Sequence, residues 1–335
     1  MFVADKWKDY EILYAGKGEK YERWGNVKLL RPDPQAVWPV VDGGKVKRMG
    51  DLPSPDAVYN RSSEGGGSWT RYSQIPSSWK ISYESIGKKL TFIVEPTSFK
   101  HTGLFPEQAV NWDFCGGLIE DAVSRGRKEI RILNLFAYTG AATLAGAAHG
   151  ATEVVHVDAS KGMIARAKEN VAASGLTDSY IRFIADDCKK FVEREIRRGR
   201  KYEGIIMDPP SYGRGPSGEL WKLEDSFYDL VSLTSGLISD DPLFFIASSY
   251  ATGITAEASG QILSLGIKGG SVSAGEIGLP VTKMGINLPC GSADEECDLD
   301  YVPHKGVEGN IDVAVSASLG FGGHNGVVVI KKFNG

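Results

Sequence analysis

The stretch 130-IRILNLFAYTGAATLA-145 decides the fold. Ile132 to Phe136 is an apolar run of strand length, and a tight turn, Phe136-Ala137-Tyr138-Thr139-Gly140-Ala141, leads from it into an alanine-rich helical pattern. The same alternation continues outward: EVVHVD (153–158), KGMIARAKENVAAS (161–174), YIRFIAD (180–186), a charged helix over Asp187 to Arg200, GIIMD (204–208), a helix near Glu224 to Ile238 and PLFFIASSY (242–250). Apolar strands separated by amphipathic helices need crossover connections, which implies a buried, doubly wound parallel α/β sheet of the Rossmann-like type with helices on both faces. After a helix near Thr255 to Leu265 come SVSAGEIGL (271–279) and MGINLP (284–289), with no helix between them. These are expected to add antiparallel strands to the edge of that sheet.

Upstream, residues 1–95 are rich in Trp, Tyr, Gly and Pro and carry short alternating runs such as KLTFIVEP (89–96). They read as a small β-rich, substrate-presenting domain with a loop excursion around Gly65-Gly66-Gly67. Residues 96–293 read as the ligand-binding domain, and 294–335 as a β-rich tail of uncertain role. At 335 residues, 42% hydrophobic and 24% charged, the chain is too apolar for disorder and too interrupted by charge for a membrane. The net charge of −4 argues against a surface that grips polyanions everywhere, so nucleic acid would need a local patch. Four cysteines without Cys-x-x-Cys spacing suggest reduced thiols rather than disulfides or a zinc site. The opening MFVADKWKDY has no apolar core of a signal peptide, so the cytoplasm is the expected compartment, while the oligomeric state is left open.

In an open α/β sheet, ligands sit beyond the carboxyl ends of the strands. The turn after the first strand can present helix amides to a carboxylate or phosphate, or be a plain helix start. It is not Gly-x-Gly-x-x-Gly: Tyr138 and Thr139 stand where pyrophosphate binding wants glycine. Asp158, about 20 residues on, can accept both hydroxyls of a ribose. Asp186 and Asp187 end the third strand; one can meet an adenine amino group, and either can cap the next helix. The fourth strand ends Asp208-Pro209-Pro210-Ser211-Tyr212. Its prolines remove backbone donors and leave a carboxylate and a bare carbonyl as acceptors, with Tyr212 able to stack on a planar group; a rigid loop is the plainer alternative.

With these residues in place, IRILNLFAYTGAATLA, HVDASKGMIARAKENVAASG, DDCKKFVEREIRRG, IIMDPPSYGRG and LFFIASSYATG resemble, in order and spacing, the class I S-adenosylmethionine-dependent methyltransferases, in the branch containing large-subunit ribosomal RNA methyltransferases. The resemblance extends over about residues 10–293 and includes YEILYAGKGEKYERWGNVKLLRPDPQAVWP and FKHTGLFPEQAVNW. It implies S-adenosyl-L-methionine as cofactor, with Phe136, Tyr138 and Gly140 along its methionine part, Asp158 at the ribose, Asp187 at the adenine, and Lys100, Thr102, Phe105 and Gln108 closing over it. Asp208, Pro209 and Tyr212 would form the catalytic side.

Relatives that methylate cytosine C5 use a cysteine thiolate near the end of the fourth or fifth strand; Ser211, Ser248 and Ser249 stand there in this chain, and Cys188 and Cys290 read as packing thiols. Direct in-line transfer to nitrogen or oxygen is therefore expected, driven mainly by proximity. An RNA substrate follows from the resemblance. The basic helix 189–201 with Lys45, Lys47 and Arg48, and the stacking candidates Trp7, Trp24, Trp38, Trp69 and Trp79, could serve it, though a solvated face and a core would explain them equally. A nicotinamide-dependent oxidoreductase and a non-catalytic RNA-binding module are the alternatives. CDLDYVPHKG (297–306) and VAVSASLGFGGHNGVVVIKKF (313–333) resemble the end of β-ketoacyl-acyl-carrier-protein synthase II, but no upstream counterpart to its nucleophile is visible.

Overall fold

The alternation over residues 130–250 folds into one parallel sheet. The computed structural model describes residues 1–61, 67–97, 101–214, 220–251 and 253–289, with two short strands beyond them. Strands β1 (Arg131–Leu135), β2 (Glu153–Asp158), β3 (Ile181–Ala185), β4 (Gly204–Met207) and β5 (Phe244–Ala247) lie in the order β3-β2-β1-β4-β5, all parallel. Every residue of β4 and β5 is buried, which is why they are apolar throughout, whereas the edge strand β3 is half-buried along most of its length. The connecting helices are α1 (Ala109–Ser124), α2 (Ala141–Ala148), α3 (Lys161–Ala173), α4 (Cys188–Arg197), α5 (Leu223–Ser235) and α6 (Ala256–Gly266). α1, α2 and α3 pack in one series and α4, α5 and α6 in another, as right-handed crossovers running both ways from β1 require. Ser160, Asp187 and Thr255 cap α3, α4 and α6 by accepting from the amides of Met163, Lys190 and Ala258.

Residues 1–95 are β-rich as expected. Tyr10–Gly16, Glu19–Trp24 and Val27–Pro32 form an antiparallel meander, and Ala57–Arg61 and Gly67–Arg71 extend it. A separate hairpin, Trp79–Ser85 with Lys88–Val94, packs on α1, α2 and α3. Its Ile86-Gly87 turn places both residues in the left-handed region, at φ +44° and +78°. Within the meander, Glu22 is buried against Arg31, whose Nη2 donates to Oε1 at 2.8 Å, and the Tyr10 hydroxyl donates to the same oxygen at 2.7 Å. One apolar core runs continuously from Ala4 through β1, β4 and β5 to Leu288. The expected stacking tryptophans belong to it: Trp24 is fully buried, and the indole N–H groups of Trp7, Trp38, Trp69 and Trp79 donate to the carbonyls of Pro106, Ala15, Thr97 and Trp24.

One placement differs from expectation. Ile277–Val281 and Ile286–Pro289 do pair antiparallel, but within the N-terminal sheet, where Ile277–Val281 runs parallel to both Phe2–Val3 and Tyr10–Gly16. Alternating Ile277, Leu279 and Val281 bury one face there, and although α6 lies between them and β5, the chain does not return to the parallel sheet. Beyond β5 that sheet carries instead Val327–Val328, antiparallel, and then Val315–Ser316. The rest of the tail, including its condensing-enzyme resemblance, lies outside the described residues, as do Cys290, Cys297 and Lys100. No helix among the described residues is long and apolar enough to cross a membrane.

Candidate active site

Strand order reverses between β1 and β4, and the crevice beyond their carboxyl ends is where a ligand fits. The loop leaving β1 is folded tightly around this point. Phe136, Tyr138 and Gly140 all have positive φ, at +55°, +49° and +85°. Left-handed backbone costs a non-glycine residue about 1–3 kcal/mol, so two such residues persist only because the surroundings dictate them. The dictating contacts are specific: the Ala137 amide donates to Val157 O at 3.0 Å, the Tyr138 amide to Asp158 Oδ2 at 2.8 Å, and Asn170 Nδ2 to Thr139 O at 2.9 Å. At Gly140 a Cβ would stand 3.0 Å from that of Ala167, so only glycine fits. Beneath the loop, Asn134 Nδ2 donates to Thr143 Oγ1, which also contacts Nδ1 of buried His156 at 3.0 Å; burial lowers that imidazole to about 3 and keeps it neutral.

The crevice holds about 460 Å³, open to solvent. Phe136, Tyr138 and Gly140 form one wall, Phe105 and Gln108 the opposite wall, and Asn134, Asp208 and Ser248 the base. Thus the residues expected along the methionine moiety and two of those expected to close over it share one cavity. Thr102 is buried outside this lining, and its Oγ1 has no partner among the described residues. Asp158 sits behind the strained loop and receives two amides, from Tyr138 on Oδ2 and Ser160 on Oδ1, both at 2.8 Å. Burial raises its carboxyl, and the two amides oppose that shift. At the end of β3, Asp186 is engaged by Arg194, while Asp187 accepts from the Lys190 amide at 2.9 Å with one oxygen; neither lines the crevice.

Asp208 follows β4 at the base of the crevice. Its Oδ1 is buried without a hydrogen-bond partner among the described residues, and burial, reinforced by the negative charge of nearby Glu107, pushes the carboxyl up to about 8. An orphaned buried acceptor lining a crevice can receive a donor from a ligand or a water. Pro209 is buried beside it, but Tyr212 is 56% exposed in a hairpin, Tyr212–Arg214 with Leu220–Lys222, and does not line the crevice. Sequence reasoning left unmarked Asn134, a polar residue inside an apolar strand that lines the crevice, and two residues outside the lining, Glu107, whose charge acts on Asp208, and Tyr250, which contacts Phe105 and Gln108. Tyr250 could have been found by the rule that drew attention to Asp208, since it follows the end of β5.

Neither described cysteine can act as a nucleophile here. Cys188 is buried, its Sγ accepts the Phe136 amide at 3.2 Å, and burial pushes both its thiol and that of buried Cys115 to about 12. On the basic helix, Arg194, Arg198 and Arg200 are tied to Asp186, Glu195 and Glu153, and Lys201 donates to Gly236 O, which accounts for much of its charge structurally.

Comparison with known proteins agrees with this geometry. Residues 77–224 match the family model of the S-adenosylmethionine-dependent methyltransferases. The ribosomal RNA large subunit methyltransferase K/L of Shewanella baltica is 35% identical over 150 residues, 44% of this chain and 19% of that protein. Its counterpart from Shewanella frigidimarina is 31% identical over 188 residues, 55% of this chain and 24% of that protein. The chain therefore spans about a fifth to a quarter of the length of these relatives. A crystal structure of a S-adenosylmethionine-dependent methyltransferase from Agrobacterium tumefaciens superposes with a TM-score of 0.80 at 27% identity, covering 99% of this chain and 93% of that one. A nicotinamide enzyme finds no support in these matches. Residues 77–224, which carry the strained loop, Asp158 and Asp208, are thus similar to the S-adenosylmethionine-dependent methyltransferases.

Proposed function

We propose that this chain transfers a methyl group from S-adenosylmethionine to a nitrogen or oxygen of RNA by direct in-line displacement, in the cytoplasm. The observation that carries the reading is the orphaned Asp208 oxygen at the base of a crevice whose wall is hydrogen-bonded, through the Tyr138 amide, to Asp158. That donor set fits a nucleoside bearing a cation: a carboxylate for ribose hydroxyls, amides at the start of α2 for a carboxylate, and an acceptor facing a polar N–H or O–H. When bound, the cofactor supplies an electrophilic methyl carbon.

The rest is the work of this chain's residues. Asp158 holds the ribose, and Asp187, with its second oxygen, is assigned the adenine amino group. Phe105 and Gln108 close over the site, and Lys100 and Thr102 are assigned to the same role. Asp208 accepts from the acceptor's N–H or O–H, fixes the angle of approach, and takes the proton that the acceptor loses. Pro209 stiffens that corner, and Tyr212 on the adjoining hairpin is assigned to the acceptor side. Absence of a thiolate at the crevice among the described residues favours a nitrogen or oxygen acceptor over a ring carbon. Ribosomal RNA is the acceptor suggested by the relatives' names, with the N-terminal sheet presenting it.

The test is transfer of labelled methyl to fractionated RNA and protein from cells. RNA should be labelled, and Asp208→Ala should lower turnover by about 100-fold or more while cofactor affinity stays within about threefold. Unchanged turnover would remove Asp208 from catalysis. Tight cofactor binding without transfer to any RNA would favour a binding module.

A further inference from the structure

We infer that Tyr250 is a positioning residue: it docks the 101–108 segment onto the end of β5 and so sets how tightly the cofactor is held. The inference rests on the methyltransferase reading and adds to it a residue that touches neither cofactor nor acceptor.

Two side chains of that segment form one wall of the crevice, Phe105 and Gln108, and Tyr250 engages both. Its ring centroid lies 5.5 Å from that of Phe105, and Phe105 lies 5.5 Å from Tyr138, so three rings make a continuous row in which Phe105 and Tyr138 line the crevice and Tyr250 backs them. Its hydroxyl accepts from Gln108 Nε2 at 2.8 Å and lies 3.5 Å from Glu107 Oε1. The Gln108 amide is fixed from its other sides as well: Nε2 reaches Ser248 Oγ at 3.3 Å, and Oε1 accepts from Asn111 Nδ2 at 2.6 Å. Upstream, Thr139 Oγ1 donates to Gly103 O at 2.8 Å, and Trp7 Nε1 donates to Pro106 O at 2.8 Å. The segment is thus tied at the strained loop, at the N-terminal sheet and, through Tyr250, at β5.

A wall already held in its closed position spares the ligand the entropy of ordering it, and that saving appears as affinity. Chemistry at Asp208 is untouched once the cofactor is bound, so the effect belongs in cofactor affinity and KM rather than in kcat. A purely structural tyrosine would lower melting temperature without a selective change in affinity. A tyrosine that stacks on the acceptor would raise KM for RNA instead.

The experiment uses the full chain and three variants, Tyr250→Phe, Tyr250→Leu and Ser248→Ala. Calorimetry measures affinity for S-adenosylmethionine and S-adenosylhomocysteine, hydrogen exchange follows the amides of 101–108, and steady-state kinetics separates KM from kcat. Tyr250→Phe keeps the ring and loses the hydroxyl's bond to Gln108 and its long one to Glu107, so affinity should fall about threefold to tenfold. Tyr250→Leu also loses the aromatic contact and should fall roughly tenfold further. Exchange should quicken over 101–108 in both, kcat at saturating cofactor should hold within about twofold, and the phenylalanine variant should recover part of the leucine variant's loss. Ser248→Ala should weaken affinity less than Tyr250→Leu, because it leaves the Tyr250 bond to Gln108 intact. Unchanged affinity in both Tyr250 variants, or weakening accompanied by exchange that quickens throughout the chain, overturns the inference. Failure of the wild-type chain to bind either nucleoside would instead sink the methyltransferase reading, and this inference with it.

Discussion

Replacing Asp208 by Asn should make the protein more stable and less active, and the stability half depends on pH in a defined direction. The side chain keeps its shape, so packing is held constant and only the charge and its proton change. Burial and the neighbouring Glu107 charge raise the native carboxyl to about 8 from an ordinary value near 3.8. Between those values the folded state holds a proton that the unfolded chain has released, so wild-type stability falls as pH rises through this window. Above about 8 the folded carboxylate is charged, buried and without a partner on Oδ1, and the penalty is fully expressed. Below about 4 both states are protonated and the penalty vanishes. Removing a buried, unpartnered charge at an active site should gain about 1–2 kcal/mol at pH 8.5, equivalent to roughly 2–8 °C in melting temperature. Thermal melts of the two proteins at pH 4, 7 and 8.5 should therefore converge at the acid end and separate at the alkaline end, with the asparagine variant the more stable. Equal melting temperatures at pH 8.5, or a less stable variant there, would show that the Asp208 carboxylate is solvated or paired, and the proposed acceptor geometry would fall with it.

Asp158→Ala removes an acceptor held by two amides and assigned to ribose hydroxyls; charge-assisted bonds of this kind are worth about 1.5–3 kcal/mol, so calorimetry should show cofactor affinity about 10- to 100-fold weaker. Arg31→Met strands the buried Glu22 carboxylate, which Tyr10 and the more distant Lys20, 3.9 Å away, do not satisfy, and urea unfolding should register a loss of about 3–5 kcal/mol. Ile86→Asn relieves a β-branched residue at φ +44° in an exposed two-residue turn and should gain about 0.5–1 kcal/mol; a loss would mean that the Ile86 side chain contributes more through packing than its backbone costs.

The sheet was legible because apolar runs and crossover helices leave few arrangements, and the placement of Asp158 at a strand end and of Phe136 and Asp208 just beyond strand ends followed from that topology. What escaped depends on contacts between distant segments. Ile277–Val281 carries the same alternation whichever sheet it joins, and its choice of Phe2–Val3 and Tyr10–Gly16 is made by exposed edges that no local pattern encodes. The tryptophans read equally as platforms or as core, and carbonyls as far away as Pro106 and Thr97 decide the matter. Gln108 was visible through the family resemblance, but its partner Tyr250 lies 142 positions on and resembles any aromatic after a strand.

Three energetic costs meet in one crevice: left-handed backbone at Phe136, the same at Tyr138, and a buried carboxylate oxygen without a donor at Asp208. Each could be removed by an ordinary substitution, glycine at the first two and asparagine at the third, with no rearrangement of the sheet. Other carboxylates receive partners, as where Glu22 receives both Arg31 and Tyr10, or where Asp186 receives Arg194, while Asp113 Oδ1 is likewise buried without a partner among the described residues, although its Oδ2 receives Lys6 and Tyr83. Lys17 and Ile86 also have positive φ, each in a turn of the N-terminal region, and what stability alone would not favour is the coincidence of three such costs where strand order reverses. A ligand that brings the missing donor would, because its binding supplies what the folded chain lacks.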